Sequence, residues 1–191
     1  MIRAFAAVKI DCTPPLRRIV GRLSRMGRAL KPVSPNGLHV TLKFFGDVEW
    51  NSTAGISRVL EEIASPFAPF TLQVRGLGAF PRPERPSVVW AGLADAEPLI
   101  ELAGRLEPEF ENLGFPAERR PFHPHLTLAR VKSRPPDELF AMLTELAAAE
   151  FGSARVDAVE LLQSEVRADG PVYTTLCRVE LAGSSENATG E

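Results

Sequence analysis

Two four-residue phrases carry most of the chemistry in this 191-residue chain: His39-Val40-Thr41-Leu42 and His125-Leu126-Thr127-Leu128. They open the segments HVTLKFF (39–45) and HLTLARV (125–131), 86 positions apart, and use two of only three histidines. Both segments are rich in residues that favour strands. Successive side chains of a strand face opposite ways. His39 therefore shares a face with Thr41, and His125 with Thr127, while the aliphatic residues between them anchor the other face. An unperturbed histidine titrates near ~6.5, so one imidazole can take a proton from water while the other gives one to a leaving oxygen. The threonine hydroxyls can donate to non-bridging phosphate oxygens, where charge accumulates in the transition state. Four side chains thus suffice to open a strained phosphodiester. Symmetry alone does not say which histidine is the acid and which the base.

Other readings of these residues have less support. One HxT is most simply a strand with a buried histidine, but two matched copies in a repeated frame argue against that. Two histidines are too few for a zinc site, and no cysteine or acid stands at a spacing that completes one. Cys12 and Cys177 are an isolated pair without metal-ligand spacing. There is no GxSxG elbow, phosphate loop or dinucleotide glycine motif, so neither a metal nor a cofactor is expected.

Several residues are candidates for further cleft contacts. Lys43 shares parity with His39 and Thr41, which makes it a candidate cleft cation. Arg82 and Arg85, in the stiff loop Pro81-Arg82-Pro83-Glu84-Arg85-Pro86, are candidate phosphate guides. His123 would face the same way as His125 if Pro124 leaves the alternation intact, either as a rim phosphate contact or as a strand-entry residue. Arg130 has the opposite parity to Thr127 but could fold over the strand end into the cleft or support the sheet. Phe44, Phe45, Phe80 and Phe122 are core candidates, and an exposed ring among them could stack on a base.

These residues need a scaffold, and the composition allows one. With 45% hydrophobic and 24% charged residues the chain is ordinary for a globular protein. No apolar run approaches ~20 residues, and no signal peptide is evident, so a cytoplasmic protein without a membrane span is expected. The net charge of −2 hides a polarity: residues 1–46 carry nine Lys or Arg against one acid, and residues 47–191 carry 13 against 23. That asymmetry points to an anionic partner met from the N-terminal side, or to a solvated basic helix.

Periodicity predicts strands at 3–10, 38–46, 70–80, 87–93, 122–131, 155–165 and 171–181. It predicts helices following Pro14-Pro15 to about residue 28, and near 53–64, 96–112 and 136–149. Shifted by 86 residues, the first half reproduces most of the second: strand, helix, HxTL strand, helix, strand, twice over. A pseudo-twofold arrangement would bring the two His-Thr pairs face to face across a cleft. Antiparallel sheets covered by helices fit this order better than a buried parallel sheet. Residues 183–191 are small and polar and are expected to be disordered.

The chain resembles the 2H phosphoesterase superfamily, named for its paired HxT/S motifs. More narrowly it is similar to the bacterial and archaeal RNA 2′,3′-cyclic phosphodiesterases, also called 2′-5′ RNA ligases. The phrases that carry the likeness are RAFAAVKI (3–10), PNGLHVTLKFFGDV (35–48), GAFPRPERPSVVWAGL (78–93) and FHPHLTLARV (122–131). The resemblance covers residues 1–181. It implies a mixed α/β (α+β) fold in a single bilobal domain over 1–182, with two antiparallel sheets flanked by helices around a central cleft. It also implies metal-independent opening of a 2′,3′-cyclic phosphate on an RNA end or nucleotide to a 2′-phosphomonoester, by a monomer. In that assignment His125 activates water and His39 protonates the departing 3′ oxygen. Ligation through a 2′-5′ linkage, and nucleotide binding without turnover, are the alternatives. His123 is a local departure from the family pattern.

Overall fold

A computed structural model describes residues 1–167 and 170–183. Most of the expected tail, 184–191, lies outside the described residues. Gly183, assigned to that tail from sequence, is instead held by its backbone N–H on Phe67 O at 2.9 Å.

The elements run β1 (Ile2–Lys9), α1 (Pro14–Arg25), β2 (Leu30–Pro32), β3 (His39–Val48), α2 (Ser52–Ala64), β4 (Phe70–Phe80) and β5 (Val88–Ala94). They continue through α3 (Glu97–Asn112), β6 (His125–Val131), α4 (Asp137–Glu145), β7 (Glu150–Val156), β8 (Ala158–Arg167) and β9 (Gly170–Glu180). Two short strands, β2 and β7, were not foreseen. The single strand expected near 155–165 is two, broken at Asp157, because apolar residues on both sides masked the break.

The helices follow local rules. In α1, Pro14 and Pro15 occupy first-turn positions that need no N–H donor, and the Thr13 hydroxyl accepts from Leu16 N. Leu16, Ile19, Val20 and Leu23 are buried at i, i+3, i+4 and i+7, while Arg17, Arg18 and Arg25 face solvent. Thr13 Oγ1 also donates to Phe151 O at 2.7 Å, tying the start of α1 to β7.

Both sheets are antiparallel, in the orders β3-β1-β8-β9 and β2-β6-β5-β4-β7. The doubled unit is visible as β1-α1-β3-α2-β4 and β5-α3-β6-α4-β8, but each copy is divided between the sheets. The first sheet takes β1 and β3 from one copy and β8 from the other, and the second takes β5 and β6 with β4. Helices α2 and α3 cover the first sheet, and α1 and α4 the second. One continuous set of buried apolar side chains runs through both halves. The exchange leaves the motif strands β3 and β6 in contact across the junction.

Candidate active site

The two histidines are held alike. His39 Nδ1 lies 2.7 Å from Gly37 O and His125 Nδ1 lies 2.8 Å from His123 O, in each case the carbonyl two residues earlier. A carbonyl can only accept, so Nδ1 carries the proton and donates it, leaving Nε2 of each ring for chemistry. Thr41 and Thr127 follow on the same strand faces. A cleft of ≈ 770 Å³ lies at this face; its wall includes His39, Thr41, Thr127, Arg130 and Tyr173.

Beyond the threonines the alternation fails, in the same way twice. The β1–β3 register shifts between Ala6/Lys43 and Ala7/Thr41, leaving Leu42 as an extra residue. The β5–β6 register shifts between Val89/Ala129 and Trp90/Thr127, leaving Leu128 extra. A bulge inserts one residue and reverses the parity of everything after it. This places two candidate cleft residues, one of them as a correction. Lys43 points inward, 3% exposed, with Nζ 2.7 Å from Glu107 Oε1 and 2.6 Å from Pro116 O, so it is not a cleft cation. Arg130, a candidate cleft contact despite its parity in a regular strand, stands in the cleft wall with Thr127.

Phe44 is also corrected from core: it is 42% exposed and lines the cleft. Phe45 is the packed ring, edge-on to Phe110 and Phe115. Arg82 and Arg85 do not reach the cleft; they line a separate open depression with Pro81, Pro86 and Ser87. His123 is exposed and precedes β6. Its carbonyl serves His125, and its ring lies 5.8 Å from Phe80 and 5.9 Å from Trp90.

The surroundings of the two imidazoles differ. His39 is packed between Phe5 and Tyr173, each ring centroid 5.0 Å away. Burial is the main cause of a pKa below the ordinary histidine value; the bond to Gly37 opposes it, and the charges of Arg130 and His125 lower it further. His125 packs edge-on against Phe80 at 5.0 Å. Opposite Thr127 sits Trp90, whose indole lies where a Cβ on Gly78 would be, so only glycine fits there. The Trp90 indole N–H is buried and has no hydrogen-bond partner among the described residues.

The sequence reading missed several wall residues. Tyr173 and Phe5 reach His39 from strands β9 and β1. Arg3, Lys31 and Lys132 add positive charge, and no Asp or Glu is among the described lining residues. Tyr173, the only tyrosine, had no motif to mark it. Its hydroxyl pKa is raised by burial and lowered by Arg130, which places that guanidinium's charge near both Tyr173 and His39. Among the described residues no three His, Cys, Asp or Glu side chains converge as a metal-ligand set, and no helix is long and apolar enough to cross a membrane.

Comparison with known proteins matches this geometry. A protein of Methanothermobacter thermautotrophicus named RNA 2′,3′-cyclic phosphodiesterase is 39% identical over 178 residues, covering 92% of this chain and 96% of its own. A protein of the same name from Aeropyrum pernix is 39% identical over 175 residues, covering 87% and 98%. Among solved structures, a Thermus thermophilus protein superposes with TM-score 0.78 at 32% identity, over 95% of this chain and 99% of that one. E. coli LigT in complex with 3′-AMP gives 0.72 at 28% identity, over 94% and 98%. Residues 14–168 match the model of the 2′-5′ RNA ligase superfamily, and with both HxT strands at one cleft the chain belongs to that family.

Proposed function

We propose that this protein opens 2′,3′-cyclic phosphates at RNA ends, giving 2′-phosphomonoesters, through two-histidine acid–base catalysis without a metal ion. The observation that carries the reading is the matched commitment of both Nδ1 atoms to backbone carbonyls, which leaves both Nε2 atoms available on strands whose threonines, Thr41 and Thr127, line one cleft. His125 Nε2 takes a proton from water as the oxygen attacks phosphorus. The P–O3′ bond breaks, and His39 gives its proton to the departing 3′ oxygen. Thr41 and Thr127 donate to the non-bridging oxygens, and Arg130 adds positive charge where negative charge grows. His39 must be protonated for this role although burial disfavours its charged form. A bound phosphate anion shifts the balance back, since a nearby negative charge favours imidazolium.

The names of the relatives agree with this substrate. If a 5′-hydroxyl took the place of water, the same groups would form a 2′-5′ linkage. Water is the more abundant nucleophile in an open cleft, so hydrolysis is the expected activity. The test is conversion of a cyclic-phosphate RNA end in excess chelator, with the product phosphate mapped. A 2′-phosphomonoester is expected. Loss of activity with chelator and rescue by zinc would reject metal independence, and a 3′-phosphate would reject the assigned leaving group.

A further inference from the structure

Lysine is scarce in this chain, and its placement is uneven. Only four of the 22 Lys and Arg residues are lysines. Two of them are neutralised by carboxylates: Lys9 by Glu160 and Lys43 by Glu107, each at 2.7 Å. The other two, Lys31 and Lys132, both line the cleft, and neither has an ion-pair partner among the described residues. Backbone pairing brings them together. Lys31 stands opposite Arg130 in the β2–β6 register. Lys132 follows Arg130 by two residues, and its N–H donates to Ala29 O at 2.7 Å, so the pairing continues past the end of β6. Lys31 also reaches across the cleft to the first sheet: a Cβ on Gly170 would lie 3.5 Å from its Cε and 3.8 Å from its Nζ. Pro32 and Pro171, next to Lys31 and Gly170 in their strands, line the same wall and bring no counter-charge.

Two uncompensated ammonium groups on one wall suit an anion, and the chemistry of the substrate says which one. Arg130 serves the reacting phosphate, so the lysines face whatever negative charge stands next to it. A 2′,3′-cyclic phosphate occupies both O2′ and O3′ of its ribose. An RNA chain can therefore continue only through O5′, and the next anion is the phosphodiester attached there. Lys132 is two strand steps from Arg130, or ~7 Å. One ribose separates the two phosphates, a span of the same order. Ammonium groups on flexible stems act as point charges, which suits a phosphodiester whose bases vary. A nucleobase or a free sugar would leave both charges unused.

We propose that Lys31 and Lys132 seat the phosphodiester on the 5′ side of the reacting ribose, so that the cleft selects polynucleotide ends over cyclic mononucleotides. This rests on the phosphodiesterase reading above. The measurement is kcat/KM for 5′-phosphoadenosine 2′,3′-cyclic phosphate divided by kcat/KM for adenosine 2′,3′-cyclic phosphate. Because the ratio is taken within each variant, partial loss of folded enzyme cancels. The wild-type ratio should exceed one. An exposed ion pair is worth roughly 1.4- to 5-fold, so K31Q/K132Q should lower the ratio by roughly 2- to 25-fold, and K31R/K132R should retain it. For an RNA oligonucleotide ending in the cyclic phosphate, the fall of log kcat/KM with log salt should become shallower by about 0.7 for each lysine replaced by Gln. A wild-type ratio of one, an unchanged ratio in K31Q/K132Q, or an equal fall in the Gln and Arg variants would overturn the proposal. If the wild-type protein turns over neither substrate, the phosphodiesterase reading fails instead. Calorimetry then decides the phosphate seat. Tighter binding of adenosine 2′,5′-bisphosphate than of adenosine 2′-monophosphate, with that advantage lost in K31Q/K132Q, supports it; no advantage, or one the variant keeps, overturns it.

Discussion

The two half-sites share a backbone and differ in almost everything laid over it. In both, an imidazole donates to the carbonyl two residues back, a threonine follows, and a bulge at the next leucine reverses the strand. Around His39 the walls are Phe5 and Tyr173, Thr41 faces the small Ala7, and the strand runs on to buried Lys43 and half-exposed Phe44. Around His125 the walls are Phe80 and the Trp90–His123 pair, Thr127 faces Trp90, and the strand runs on to buried Ala129 and exposed Arg130. The duplicated frame repeats the His-Thr pair, and the unduplicated residues give the two copies unequal surroundings. In the first half-site, burial lowers the pKa of its histidine.

The largest expected effect comes from removing one histidine at a time. A nitrophenolate leaving group is stable as an anion and needs little protonation. His39→Ala should therefore harm hydrolysis of a nitrophenyl phosphodiester much less than opening of an RNA cyclic phosphate. His125→Ala should harm both, because each reaction still needs activated water. A general acid or base is worth roughly 10²–10⁴-fold, and single-turnover rates at saturating substrate would show the contrast. Selective rescue of the His125 variant by the good leaving group would exchange the two roles. Full activity in both variants would remove the mechanism.

A smaller effect sharpens the comparison one residue after the bulge. Lys43 and its counterpart Ala129 are both inward-facing, but only Lys43 carries charge, held by Glu107 and Pro116 O. Glu107 also accepts from Glu118 N at 2.6 Å, so the cluster binds β3 to α3 and to the segment leading toward His123. Breaking a fully buried pair costs about 3–5 kcal/mol; the Glu107 side chain is 28% exposed and recovers some solvation, so K43M should lose about 2–3 kcal/mol. Urea unfolding measures it. A loss within 0.5 kcal/mol of zero would mean the cluster holds nothing together.

How much of this was legible follows from what repeats. The HxT phrases, the doubled order of elements and the antiparallel sheets could be read because each depends on local pattern, on Val and Thr content or on a matched spacing. The bulges could not, because Leu42 and Leu128 fit a regular strand as well as an irregular one. That one extra residue misplaced Lys43 and Phe44 and reversed the parity read for Arg130. Tyr173 is 134 positions from His39 in the chain and reaches it only through strand pairing, which no window of sequence contains. Arg82 and Arg85 were drawn to the cleft by their charge, but they belong to a loop with its own open face.

The smallest expected effect concerns protons, and it tests whether enclosure of His39 matters. As a general acid His39 must be protonated, so activity should fall as pH rises through its pKa. The kcat/KM profile reports the free enzyme, where burial, Arg130 and His125 hold that pKa below the ordinary value near 6.5. The descending limb of kcat/KM should therefore lie below about pH 6.5. The kcat profile reports the bound state, where the substrate phosphate stabilises imidazolium, so its descending limb should lie at higher pH. Y173A, which opens the wall beside His39, should move the kcat/KM limb upward by lessening desolvation, and should move the kcat limb less. The same His39 shift bears on stability. A pKa lower in the fold than in the unfolded chain contributes stability above the unfolded value, and that contribution is lost as pH falls from about 6.5 through the folded pKa. His39→Gln should remove that acid-side loss, seen as a flatter dependence of the urea midpoint on pH below neutrality. Coincident kcat and kcat/KM limbs in wild type, with Y173A leaving both in place, would show that the enclosure does not tune His39.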